Sequence, residues 1–132
     1  MSPALRAAGR RRTVALTTFR RSGTPVVTPV WIAPAGDALV VMTGGTTGKA
    51  KRLRRDPRVR LQECSARGRV RPGASVVEGE ARIVADEAEQ RPLLDALARK
   101  YGWRLAVVRL IERIAGADAE RVVLRITDPS AA

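Results

Sequence analysis

Short apolar runs alternate with turn-forming residues along most of the chain. The runs are rich in β-branched residues, which favour strands, and the turns between them carry Gly, Pro or Asp. The pattern predicts strands over residues 13–19, 26–32, 38–43, 59–64, 75–84 and 119–127. About six short strands, joined largely by turns, predict a mainly β fold with a few helices, arranged as a small antiparallel barrel.

Two further segments have the pattern of helices. The first begins at about Gly48 and has to end near Asp56, because the residue before a proline resists helical geometry. The second begins after Asp86, a favourable N-cap, and extends to Tyr101, with Pro92 expected at the start of its regular part. Four apolar residues share one face of this helix and are assigned to the core: Leu93, Leu94, Leu97 and Tyr101.

The pattern leaves the structure undecided at two places in the chain. Pro29 interrupts the second predicted strand, and since proline cannot donate a ladder hydrogen bond, an edge, a bulge or an open end is expected there. Residues 105–114 fit either a helix or a strand.

Size and composition indicate a single domain. The chain has 132 residues, 45% of them hydrophobic, which is enough for one core. We predict a basic arm over residues 1–12, mobile or used for docking, a domain over 13–128 and a short tail over 129–132. No run of about 18 apolar residues is present to span a membrane, and the N-terminal segment lacks the apolar stretch of a secretory signal. A cytoplasmic protein is therefore expected.

The residue inventory excludes several kinds of catalytic site. The chain has no histidine and a single cysteine, Cys64, which removes Ser–His and Cys–His catalysis and the usual zinc sites. No metal site and no catalytic side chain is predicted. Cys64 cannot form an internal disulfide, which fits a reducing compartment, and we interpret it as a small buried hydrophobic residue. Any chemistry then has to be carried by a bound group.

The net charge favours an anionic partner. The chain has 25 basic and 13 acidic residues and a net charge of +12. Lysine occurs only at positions 49, 51 and 100, so the other 22 basic residues are arginine. The partner would be nucleic acid or an acidic cofactor.

Two of the three lysines lie where a valine-rich strand passes through Thr43 and a small-residue loop into the first predicted helix. Helix N-termini attract anions, whereas a lysine in the first turn is unfavourable unless an anion faces it. We interpret the stretch as a phosphate site; the alternative is a solvated basic helix face. A Walker loop is excluded, because it needs glycine in place of Thr43 and serine or threonine in place of Ala50.

Four segments, taken in order, carry a resemblance to a known family. They are Leu16–Pro25 (LTTFRRSGTP), Thr28–Trp31 (TPVW), Thr47–Val59 (TGKAKRLRRDPRV) and Val77–Ala81 (VEGEA). The chain resembles, over roughly 13–127, the split-barrel flavin-binding proteins related to pyridoxamine 5′-phosphate oxidase. It is most similar to the branch that uses the deazaflavin coenzyme F420.

The resemblance implies an F420-dependent oxidoreductase that transfers a hydride from the reduced coenzyme to an unsaturated small molecule. It implies a homodimer with two cofactor sites at the subunit interface. The phosphate would lie on the loop and helix, the ring along the second strand and its neighbour, and Arg52 and Arg55 near the acidic tail. The implied cofactor-binding residues are Thr28, Pro29, Val30, Trp31, Met42, Thr43, Thr47, Gly48, Lys49, Ala50, Lys51 and Arg52.

Alternatives remain within the same family. Flavin-using relatives often have arginine where this chain has Thr28–Pro29 and Gly48, which weighs against FMN. An FMN-binding oxidase-like enzyme and a non-catalytic flavin- or deazaflavin-binding protein both stay open, whereas haem is disfavoured without an axial histidine. For the Tyr101–Trp103 element, core and interface packing is preferred to substrate contact.

Nucleic-acid binding is the competing interpretation from a different class. It is disfavoured because only 3% of the residues are aromatic, which leaves few side chains for base stacking. The basic residues are also spread along the whole chain instead of being confined to one segment.

Overall fold

The computed structural model describes residues 1–44, 48–65, 67–102 and 121–129. The described elements, in chain order, are helix α1 (Pro3–Gly9), strands β1 (Val14–Phe19), β2 (Pro25–Val30), β3 (Ile32–Ala35) and β4 (Ala38–Gly44), helix α2 (Gly48–Arg55), strands β5 (Arg58–Glu63) and β6 (Val77–Val84), helix α3 (Glu87–Tyr101) and strand β7 (Arg121–Thr127). The seven described strands form one antiparallel sheet, ordered β2-β1-β5-β6-β7-β4-β3, that curls into a half-barrel. The predicted antiparallel β fold is confirmed.

The second predicted strand is in fact two strands. Residues 25–30 pair with β1, and residues 32–35 pair with β4, so β2 and β3 lie at opposite edges of the sheet. Trp31 alone joins them. Pro29 is tolerated because β2 is an edge strand, where a missing N–H costs no ladder bond. The expectation of an edge at Pro29 is confirmed, but the strand break falls at Trp31.

Strand β7 completes the sheet between two strands that precede it in the chain. It pairs with β4 on one side, where Leu124 opposes Val41, and with β6 on the other, where Ile126 opposes Ala81. Both ladders run for most of its length. β7 therefore connects the β3–β4 hairpin to the other four strands.

The buried side chains form two clusters. The first core cluster lies between α1, α2 and the strands, and its largest members include Leu16, Leu61 and Ile126. The second core cluster lies between α3 and the sheet and includes Leu97 and Tyr101. The predicted inward face of α3 is thus confirmed at Leu93, Leu97 and Tyr101, while Leu94 is half-buried at its margin.

Helix α3 begins where the sequence predicts. The carboxylate of Asp86 accepts a hydrogen bond from the backbone N–H of Ala88 at 3.2 Å, which satisfies one unpaired donor of the first turn. Helical geometry starts directly at Glu87 and continues through Pro92. The prediction that Pro92 opens the regular part is wrong, because the first turn is already formed by the Asp86 cap.

The N-terminal segment was predicted as a mobile or docking arm, and the structure contradicts its mobility. Leu5 is fully buried in the first core cluster, and Ser2 caps the helix through the backbone N–H of Leu5 at 3.1 Å. The carboxylate of Asp128 binds the terminal ammonium of Met1 at 3.3 Å and the backbone N–H of Ser2 at 2.9 Å. The many basic residues of this segment led to the prediction of an arm, but the segment contains helix α1, and its one leucine is a core residue.

Other predictions are answered only in part. Cys64 is buried beyond the end of β5, opposite Val70, and burial raises the pKa of its thiol, as expected of a structural cysteine. Trp103 and residues 105–114 lie outside the described residues. Among the helices that are described, none has the length and apolar character needed to cross a membrane.

Lys100, near the C-terminal end of α3, ties three segments together. Its ammonium donates to the backbone carbonyl oxygens of Gly9 at 2.9 Å, of Arg11, and of Ile32 at 2.6 Å. These carbonyls belong to the end of α1, the following connection and the start of β3. One side chain thus binds main-chain acceptors from three separate segments of the fold.

Lys100 is expected to make stability depend on pH. Burial, and secondarily the charge of Arg12, lowers the pKa of this amine from 10.5 to about 8. Between these two values the unfolded chain binds a proton that the folded protein has released, so stability should rise with pH there. We expect this rise in the wild type relative to Lys100→Met, measured by urea denaturation at several pH values. Parallel pH profiles for the two proteins would contradict it.

Candidate functional site

Helix α2 is fixed to the sheet by one leucine and two arginines. Leu53 is buried in the first core cluster. Arg52 donates from Nε to Oγ1 of Thr18 at 2.8 Å, and Arg55 donates from Nη2 to the backbone carbonyl of Phe19 at 3.1 Å. Because Thr18 and Phe19 are the last residues of β1, the helix presents both guanidinium groups at that end of the strand.

Arg20, Arg52 and Arg55 form a group that we call the arginine cluster. The pKa of Arg52 is lowered chiefly by burial and then by the charges of Arg20 and Arg55, so both of these arginines lie close enough to Arg52 for their charges to act on it. The acidic residue nearest along the helix, Asp56, is bound by Arg58 at 2.8 Å. A group of three neighbouring arginines fits a bound anion, which would accept charge-assisted hydrogen bonds.

The loop before α2 is described only at its borders. Thr47 lies outside the described residues, whereas Gly48, Lys49 and Ala50 form the first turn of α2, with only their main chain described. Lys51 follows with an exposed side chain. The predicted basic helix is therefore present, and three arginines stand in its last turn, where they suit the negative end of the helix dipole.

On strand β2, the neighbouring residues that the resemblance assigns to the cofactor site point to opposite faces of the sheet. Thr28 is half-buried, Pro29 is exposed and Val30 is buried in the first core cluster. Successive side chains of a strand point to opposite faces, so no ligand can lie against all three. Val30 contributes its side chain to the core and has only its main chain to offer a ligand.

Pro29 lies beneath the loop that follows β5. A Cβ atom on Gly68 would come within 3.1 Å of the Pro29 Cγ, and the φ of Gly68 is +84°, a region that side-chain-bearing residues rarely adopt. Only glycine fits this close approach. The ring of Pro29 therefore contacts the protein's own loop.

Trp31 and Met42 come together at the second core cluster. Both are half-buried and pack against it from its margin, and Trp31 stacks on Tyr101 with ring centroids 4.5 Å apart and planes 12° apart. Thr43 follows Met42 on β4, opposite Val122 of β7, with only its main chain described. Of the predicted ring contacts, Trp31 and Met42 thus border the same core cluster.

The arginine cluster and Trp31 lie toward opposite ends of β2. Thr18, which binds Arg52, opposes Val26 in the β1–β2 ladder. Trp31 follows Val26 by five positions, and a strand rises about 3.3 Å per residue, so the separation along the strand is ~17 Å. An elongated ligand with an anion at one end and a flat ring at the other matches this arrangement.

Sequence reasoning did not place Arg20 in the site. It lies in the turn after β1, about 30 positions before α2 along the chain, and it was read only as part of a turn. Its signal was its place within the segment 16–25 that carries the family resemblance. The contact between the end of β1 and α2 brings Arg20 to the other two arginines.

Among the described residues of the site, the cations could bind an anion and the Tyr101 hydroxyl already has main-chain partners. The hydroxyl of Tyr101 is engaged by the main chain of Ile32, and burial raises its pKa. Within the described ranges, no three acidic or cysteine side chains come together in a way that could hold a metal ion. The arginine cluster could therefore bind the charged part of a cofactor.

A family model described as "Pyridoxamine 5'-phosphate oxidase" matches residues 1–127 of the chain. No curated protein matches the chain.

Solved structures share the fold. A conserved hypothetical protein from Mycobacterium tuberculosis is 25% identical with a TM-score of 0.66, and the match covers 98% of this chain and 82% of that one. An F420 reductase is 19% identical with a TM-score of 0.60, covering 98% and 97% of the two chains. A FAD-binding protein from Mesorhizobium loti is 21% identical with a TM-score of 0.58, covering 98% and 90%.

Proposed function

The chain belongs to the pyridoxamine 5′-phosphate oxidase family, and on that premise we propose that it is an F420-dependent oxidoreductase. Its reaction would be the transfer of a hydride from the reduced coenzyme to an unsaturated small molecule. The observation that carries this proposal is the arginine cluster at one end of β2 with Trp31 toward the other. A fold-sharing F420 reductase supports the choice of coenzyme.

The anionic part of the coenzyme fits the arginine cluster. F420 carries a phosphodiester and a glutamate tail, and Arg52 has guanidinium N–H groups beyond the Nε that binds Thr18. Lys49 and Lys51 of the first turn of α2 would add charge on the phosphate side, beside Thr47, Gly48 and Ala50. The several anionic groups of the coenzyme would match the several cations that gather here.

The ring would lie at the junction of β2 and β3. Trp31 and Met42 form an apolar margin there, and Thr28 and Thr43 stand on the adjoining strands. The coenzyme, when bound, supplies a ring carbon that donates hydride. The protein's part is to bind the anionic end, fix the plane of the ring and keep water from its face.

No side chain of the described site is assigned a catalytic proton transfer. The chain contains no histidine, and the Tyr101 hydroxyl is held by backbone groups. A proton taken from solvent after hydride transfer completes the reduction. In this proposal the polar groups of the protein bind the coenzyme, and the coenzyme carries out the hydride transfer.

A homodimer is part of the proposal. Strand β2 lies at an edge of the described sheet, and Val27 on it is 52% exposed, an apolar side chain that a second copy could cover. Two equivalent cofactor sites would then lie at the interface.

The FAD-binding protein that shares the fold supports the alternative function, an FMN-binding oxidase-like enzyme or a non-catalytic flavin-binding protein.

Titration of the purified protein with F420 and, separately, with FMN tests the proposal. We expect selective binding of F420, weakened about 2- to 10-fold in Lys51→Ala, because an exposed ammonium contributes a modest share of a charged contact. Lys49→Ala is expected to act in the same direction, and Arg99→Ala, an exposed arginine on α3, serves as the charge control.

The outcomes separate the candidate functions. Preference for FMN would favour the oxidase-like alternative, and tight F420 binding without hydride transfer to any of a panel of enones and quinones would favour a binding protein. Binding of neither cofactor would refute all three candidate functions: the F420-dependent oxidoreductase, the oxidase-like enzyme and the binding protein.

A further inference from the structure

Trp31 occupies a position where the sheet itself gives little support. It is the single residue between β2 and β3, and it belongs to neither strand. The β1–β2 ladder ends at Val30 and the β3–β4 ladder begins at Ile32. Neither ladder includes Trp31, so contacts from other elements can help to fix the orientation of the indole.

Helix α3 supplies such contacts through the main chain of Ile32. The backbone N–H of Ile32 donates to the Tyr101 hydroxyl at 2.9 Å, and that hydroxyl lies 2.8 Å from the Ile32 carbonyl oxygen and 2.8 Å from that of Arg12. The ammonium of Lys100 donates to the same Ile32 carbonyl at 2.6 Å. Both polar groups of the residue after Trp31 are thus held by the last two residues of α3.

The same tyrosine also holds the indole directly. The Tyr101 ring is buried, and the Trp31 ring stacks on it nearly parallel at 4.5 Å. One face of the indole is therefore covered by protein, while the residue as a whole stays only half-buried. Stacked aromatic pairs gain energy beyond their buried area, so this contact favours one orientation of Trp31.

We propose that Tyr101, assisted by Lys100, is a positioning residue that fixes Trp31 as a wall of the cofactor ring site. This inference rests on the proposed function, since that function makes Trp31 a ring contact. In this role Tyr101 acts through Trp31 and Ile32. The end of α3 thereby sets the shape of the site.

Three variants separate the parts of this arrangement. Tyr101→Phe keeps the ring stack and removes the hydroxyl, Tyr101→Leu removes both, and Lys100→Met removes a donor to Ile32 that does not touch Trp31. Leu61→Ala, in the first core cluster, is the control for loss of stability alone. All are made with Trp103→Phe so that Trp31 is the sole tryptophan.

Each variant is read by three measurements below its unfolding temperature. Amide hydrogen exchange of Ile32 should accelerate in Tyr101→Phe, which loses the acceptor of that N–H, and less in Lys100→Met, which loses only a donor to the Ile32 carbonyl oxygen. The emission of Trp31 should shift in Tyr101→Leu. The dissociation constant of F420, or of FMN if that is the ligand, should rise about 2- to 10-fold in Tyr101→Phe. It should rise about tenfold or more in Tyr101→Leu, which also loses the stack, and stay at the wild-type value in Leu61→Ala.

The results distinguish this inference from the function it rests on. Wild-type binding with unchanged affinity in both tyrosine variants would overturn the positioning role alone, and so would an equal loss of affinity in Leu61→Ala. Unchanged Ile32 exchange and Trp31 emission would also overturn it. No binding by the wild type would refute the proposed function, and the positioning role with it.

Discussion

Replacement of Arg52 by glutamine is expected to weaken cofactor binding by about 10- to 100-fold. Hydrogen bonds to charged groups contribute about 1.5–3 kcal/mol each, and Arg52 is the half-buried member of the arginine cluster, held in place by Thr18. The other two arginines of the cluster are exposed, so we expect neither to take over the anion contact that Arg52 makes. Calorimetric or fluorescence titration of the variant with the cofactor measures the change.

Two companion variants make this result interpretable. Arg54→Gln removes the same charge from an exposed position of α2 and is expected to change affinity much less. Arg52→Lys keeps the charge and loses the fork that reaches both Thr18 and an anion, so an intermediate affinity is expected. Equal losses in Arg52→Gln and Arg54→Gln would mean that net charge, and not the arginine cluster, attracts the ligand.

Replacement of Leu5 by alanine is expected to lower the free energy of unfolding by about 2–5 kcal/mol, the usual range for truncating a fully buried leucine. Leu5 lies at 0% exposure among the strands, although it stands only five residues from the N-terminus. Chemical denaturation of the variant and the wild type gives the difference directly.

The control for Leu5 lies next to it on α1. Arg6 is exposed, and Arg6→Ala is expected to change stability by no more than about 0.5 kcal/mol. If Leu5→Ala were as stable as Arg6→Ala, helix α1 would be a peripheral segment and the earlier expectation of a mobile arm would stand.

The sequence was sufficient where local chemistry decides the structure. Alternation and β-branched residues located β1 and β5, the proline at 57 ended α2, and the Asp86 side chain began α3. In each case the signal lies within the element or at its border. The overall antiparallel architecture followed from the number and spacing of such strands.

The sequence was insufficient where pairing between segments distant in the chain determines the structure. No local feature of residues 26–32 shows that Val30 pairs with β1 and Ile32 with β4, because that split depends on closure of the sheet. The burial of Leu5 and the approach of Arg20 to Arg52 also depend on tertiary contacts. In the predicted site, the burial of Val30 in the first core cluster depends on the same sheet closure and could not be predicted from the sequence.

The position of β7 also bears on synthesis of the protein. Since β7 lies between β6 and β4 but follows both in the chain, a ribosome produces a four-stranded group and a hairpin before it makes the strand that joins them. Until then β6 and β4 each expose an unpaired edge, and such edges are templates for aggregation. A nascent chain stalled before residue 121 would therefore carry two adhesive edges, making a chaperone most useful shortly before β7 leaves the exit tunnel.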